Sequence, residues 1–117
     1  MQYMLLIYSA DDAGPQPGSP EFGKMMQGYM EFNAEVQAAG ALVSGLPLQG
    51  KDTATTVRVR GGNAQTTDGP FAETKEVLGG YYLLNCDNLD DALAWAAKIP
   101  TSEYGSIEVR PIMELPS

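Results

Sequence analysis

Strand-like and helix-like stretches alternate along this chain in the order strand, helix, strand, hairpin, strand, helix, strand. That order predicts an α+β fold: a ferredoxin-like antiparallel sheet with two helices on one face and an extra β-hairpin. Three observations carry the prediction. Two short, nearly all-apolar runs, YMLLIY and GYYLLNC, suit central strands covered on both faces. Two capped stretches repeat their apolar residues at helical spacing. Between them TTVRVR alternates strictly and meets a Gly-Gly-Asn turn signal.

Taken in order, Tyr3 to Tyr8 is the first central strand, and Ser9 to Pro20, with its three prolines and two glycines, is a loop long enough to act as a flap. Ser19 is placed to cap a helix with Pro20 at its first position and Glu21 near the positive end of its dipole. Phe22, Met25, Met26, Tyr29, Met30, Asn33 and Val36 form the expected core-facing stripe, and Gly40 ends the helix. Ala41 to Leu48 is strand-like, with Pro47 at an edge or bend, and Gly50 to Ala54 is a polar turn. Thr55 to Arg60 puts Val57 and Val59 on one face and Thr56, Arg58 and Arg60 on the other; Ala64 to Thr67 returns from the turn. Gly80 to Cys86 is the second central strand. Asp87 or Asn88 caps a second helix whose stripe is Leu89, Ala92, Leu93, Ala96 and Ile99, with Trp95 to its side and Pro100 as its stop. After a loop over Thr101 to Gly105, the last strand runs from Ser106 to Leu115, and Glu108 and Arg110 share a face and pair.

The 117 residues make room for a single domain, 1–117. A formal charge of −8 repels phosphate, which argues against direct nucleic-acid binding and against an anionic membrane surface. The chain has no histidine, so the usual neutral-pH general base and the commonest metal ligand are missing. Its single cysteine, Cys86, excludes an intrachain disulfide and fits a small core residue in a reducing, cytoplasmic setting. MQYMLLIYSADD lacks a basic lead and reads as a strand rather than a signal peptide. No phosphate loop, Cys/His metal spacing or Ser–His pair is present, so no cofactor and no metal are expected. Two strands apolar on both faces, with helices enough for only one side, predict a homodimer that buries sheet against sheet.

The densest local chemistry lies in Thr67 to Tyr82, TDGPFAETKEVLGGYY. Asp68-Gly69-Pro70 is a break, and Gly79-Gly80 marks a bulge or a close backbone approach. One reading is a connection between strands. The other is a pocket wall for a small molecule: Asp68 as candidate general acid or base, Phe71, Glu73, Lys75 and Tyr81 as ligand-binding residues, and Glu103 and Tyr104 closing from the late loop.

Six stretches resemble the YCII-related proteins, in particular their DGPF-domain group: YMLLIY, TATTVRVR, TDGPFAETKE, LGGYYLL, NLDDALAWAA and SIEVRP. The resemblance covers nearly the whole chain. It implies a dimeric α+β barrel. Some relatives carry a His and Asp pair in a cleft, to which a catalytic role has been ascribed; Asp68 matches the Asp, and the His has no counterpart here. The group is often encoded beside extracytoplasmic-function sigma factors, which implies a regulatory or interaction module as the alternative to a small-molecule site.

Overall fold

The computed structural model describes residues 1–116. Strands β1 (Gln2–Ala10), β2 (Leu42–Pro47), β5 (Glu76–Asn85) and β6 (Ser106–Pro111) form one sheet in the order β2-β5-β1-β6, with every neighbour antiparallel. Strands β3 (Thr55–Arg60) and β4 (Asn63–Asp68) pair with each other as a separate ribbon. Helices α1 (Pro20–Ala38) and α2 (Leu89–Lys98) pack on one face of the sheet, where Tyr3, Leu5, Ile7, Tyr82 and Leu84 are buried against them. The two apolar runs hold the two central positions, as their composition demands.

The helix caps are where local chemistry puts them. Ser19 Oγ accepts the Phe22 N–H at 3.2 Å, and Asn88 Oδ1 accepts the Asp91 N–H at 2.9 Å. Gly40 leaves α1 at φ +73, a conformation that side chains disfavour.

The buried stripes differ from the expected ones by a rotation. In α1 the core takes Phe32 and Val36, with Tyr29 packed beside them, while Met26 and Met30 are exposed. The rows 25-29-32-36 and 26-30-33 lie side by side on a helix. The first row wins because the Phe32 ring packs tilted against Tyr82, centroids 5.0 Å apart, and meets Trp95 edge-on at 6.0 Å. In α2, Ala92 and Ala96 are buried and Leu89 and Leu93 are exposed. Small alanines let this helix approach the sheet closely.

Strand β5 starts four residues before the expected Gly80, at Glu76. The glycine pair is a bulge within the strand rather than its beginning: Ile7 pairs with Gly80 and Tyr8 with Leu78, so Gly79 is the extra residue. Strand β6 stops at Pro111 rather than Leu115, since proline brings no N–H to the ladder. Glu108 and Arg110 pair as expected, Nε to Oε2 at 3.0 Å.

The opposite face of the sheet carries Met4, Leu6, Tyr8, Tyr81 and Leu83, all half-buried, with Leu46 exposed beside them. Among the described residues no helix covers this face. No helix is long and apolar enough to cross a membrane among the described residues.

Candidate functional site

The sheet register places two glycines toward the helices. Gly80 lies opposite Ile7 and Gly45 opposite Tyr82, both on the buried face. Gly45 makes room for the Tyr82 ring, 2.5 Å from where a Cβ would stand, and Gly80 for the β2 backbone at Leu46; a cleft of about 390 Å³ lies between this patch and α1. Met25, Met26, Tyr29 and Asn33 of α1 form one wall, and Thr101 and Tyr104, from the turn after α2, close the end.

The polar groups of the cleft converge. The Tyr82 hydroxyl donates to Asn33 Oδ1 at 2.6 Å. The Tyr29 hydroxyl and Thr101 Oγ1 are 2.5 Å apart, and Thr101 Oγ1 lies 3.4 Å from the Tyr104 hydroxyl. Tyr104 donates to the sulfur of Met25 at 2.7 Å. Burial pushes the Tyr82 phenol up to about 12. Burial also raises Tyr29, against the opposing pull of its Thr101 hydrogen bond. Both phenols therefore keep their protons at neutral pH; Tyr82 donates to Asn33, while between Tyr29 and Thr101 either hydroxyl can donate. Thr101 is the buried polar residue on which this chain of hydroxyls hinges.

The loop after β1 supports the site from outside. Gly14, at φ +81, lies against the Tyr104 ring so closely that a Cβ there would stand 2.5 Å from Cε2. The expected flap is thus packed on Tyr104. Lys51 Nζ ties the same loop down at Asp11, 2.7 Å away. That carboxylate raises the Lys51 ammonium.

The residues expected to form one site are distributed around the molecule. Tyr104 lines the helix-side cleft, and Tyr81, which alternates to the other face of the sheet, only borders it. Tyr104 also borders a groove with Lys75 on one side and a groove with Glu103 on another. Phe71 lines a different cavity, about 490 Å³, on the open side of the sheet with Tyr8, Leu48, Pro70 and Leu78. Asp68 and Glu73 are exposed and line neither cavity. Tyr29, Asn33, Tyr82 and Thr101 were not among the expected site residues. The available signal was the pair of glycines inside strands, which marks a close approach or an opening.

The YCII-related domain model matches residues 1–116. An uncharacterised protein of Rhizobium meliloti, strain 1021, is 35% identical over 124 residues, covering 100% of each chain. Among solved structures, the 5-chloro-2-hydroxyhydroquinone dehydrochlorinase of Burkholderia phenoliruptrix AC1100, in complex with 2,5-dihydroxybenzoquinone, superposes with a TM-score of 0.51 at 13% identity. That match covers 97% of this chain and 94% of the other, and at such identity it speaks to the fold.

Proposed function

Starting from a chain that belongs to the YCII-related domain family, we propose that it binds a small, planar, oxygen-bearing molecule in the cleft between α1 and the sheet. The observation that carries this reading is the Tyr104 hydroxyl. It spends its proton on a thioether, a weak acceptor, at the mouth of a cleft whose other hydroxyls are already paired. A ligand carbonyl or phenolate oxygen is a better acceptor and takes that proton in place of the sulfur. The methionine side chains offer a polarizable wall for a ring face. Protonated Tyr29 and Tyr82 hold the hydroxyl chain in place behind it. The volume suits one small ring. The ligand named for the dehydrochlorinase, a quinone bearing oxygens on its rim, belongs to the class to try first.

A second reading keeps the cavity beside the Asp68–Pro70 turn. Its support is the apolar lining, with Phe71 77% exposed at its edge. Asp68 is then the acid or base available in a chain without histidine. Under either reading the protein is a homodimer, with the half-buried Met4, Leu6, Tyr81 and Leu83 face turned to a second copy.

Calorimetric titration with 2,5-dihydroxybenzoquinone and simple phenols tests the reading. Tyr104→Phe is expected to weaken binding about tenfold, the worth of one hydrogen bond, while Asp68→Asn and Phe71→Ala leave it unchanged. The opposite pattern moves the site to the Asp68 turn. Absence of binding to the parent protein sinks the ligand class.

A further inference from the structure

From Thr55 to Asp68 every residue except Thr56 is exposed. Among the described residues the β3–β4 ribbon pairs only with itself. It contributes to a radius of gyration of 16.3 Å, where a compact chain of this length gives about 13 Å. Val57 and Val59 share a face with their cross-strand partners Thr66 and Ala64, and they stay 63% and 61% exposed. A two-stranded ribbon with a bare apolar face is marginal in water by itself.

Its root is nevertheless secured. The Gly69 N–H donates to the Ala54 carbonyl at 2.7 Å, Thr56 Oγ1 donates to the Gly69 carbonyl at 2.8 Å, and the Arg58 guanidinium donates to the Phe71 carbonyl at 3.3 Å. Gly69 turns at φ +94, which a side chain disfavours. The Asp68–Phe71 turn therefore holds the ribbon away from its own body.

Charge indicates what the ribbon meets. Thr55 to Asp68 carries Arg58 and Arg60 against the single acid Asp68 at its root, a charge of +1. The whole chain carries −8, so the remainder carries −8 − 1 = −9. A basic arm is repelled by a second arm and drawn to a second acidic body. Two arginines in a chain of this net charge are too few to hold nucleic acid.

We propose that the β3–β4 ribbon is an arm that clasps a second copy of this chain, seating its Val57–Val59 face on the partner, with the partner's arm doing the same in return. The turn around Asp68 is the shoulder of that arm. This rests on the homodimer reading and is independent of the cleft ligand.

The test is amide hydrogen exchange of the full chain over a wide dilution series, followed in parallel by sedimentation. The expected result is a dimer whose ribbon amides lose protection as it dissociates. The double variant Val57→Asp/Val59→Asp is expected to raise the dimer dissociation constant at least ~30-fold. Far-UV circular dichroism should be unchanged, since both side chains are exposed in the protomer. Replacing Thr56 to Thr67 by a short Gly-Ser link should do the same. A dimer whose ribbon amides exchange freely at every concentration overturns the clasp and leaves a face-to-face dimer standing. A lone protomer at every concentration overturns both.

Discussion

Replacing Thr101 by valine probes the hydroxyl chain that organises the cleft. Thr101 is 5% exposed, and its Oγ1 is bonded to the Tyr29 hydroxyl at 2.5 Å, with the Tyr104 hydroxyl at 3.4 Å. Valine keeps the branched shape and deletes the oxygen. The Tyr29 hydroxyl, half-buried, then loses its partner, a cost of about 1–2 kcal/mol for stranding one buried polar group. At ~2.1 cal/mol/K per residue the unfolding entropy of a chain this size is about 0.25 kcal/mol/K, so the melting temperature should fall by about 4–8 °C. The matching control is Tyr29→Phe, which removes the other partner. If the bond is as drawn, the double variant loses less than the sum of the single ones, with a coupling of about 0.5–1.5 kcal/mol. Denaturant unfolding of the four proteins measures it. A second reading comes from phenolate absorbance: the Thr101 hydrogen bond holds the Tyr29 phenol down against burial, so in Thr101→Val that phenol should ionise at higher pH than in the parent. Strictly additive losses, or a single loss below about 0.5 kcal/mol, would refute the hydroxyl chain and with it the role given to Tyr104.

Other substitutions test the loop, the core and the buried phenols. Gly14→Ala places a Cβ 2.5 Å from the Tyr104 ring at φ +81, so either the loop or the ring must move; ligand titration should show weaker binding even where thermal unfolding shows only a modest loss. Leu84→Ala empties a fully buried position at the centre of the sheet and should cost about 2–5 kcal/mol in denaturant unfolding. The pH dependence follows from Tyr82, whose phenol is raised from 10.0 to about 12, and from Tyr29, raised in the same direction. A raised phenol binds its proton more tightly in the folded protein. The stability this contributes is therefore complete below the unfolded value near 10 and is lost as pH climbs toward 12. Unfolding midpoints measured across that window should fall with pH, and Tyr82→Phe should flatten the decline.

Much of the architecture was legible because its causes are local. Ser19 and Asn88 cap their helices through bonds to backbone three residues away. The apolar runs at Tyr3 and Gly80 occupy the two central strands, where the alternate residues Tyr3, Leu5, Ile7, Tyr82 and Leu84 are buried under the helices. The TTVRVR alternation formed a strand over the expected residues. The site was far less legible. The sequence drew attention to Thr67–Tyr82, where charge and turn residues crowd together, yet the fold scatters those side chains. Strand alternation sends Tyr81 and Tyr82 to opposite faces, and Phe71 lines a cavity on the open side of the sheet.

By itself, then, the sequence determined which segments are helices and strands, where they begin and end to within a few residues, and how they alternate. Periodicity, caps and proline act over a few residues and are written in the chain. Only the tertiary structure decided where the cleft lies. Its floor is set by the register, which puts Gly80 against Ile7 and lets the Tyr82 ring lie over Gly45, and its end is closed by the turn after α2, which brings Thr101 to Tyr29, 72 residues away in the chain. Register and long-range closure depend on how whole elements pack, and no local pattern records them.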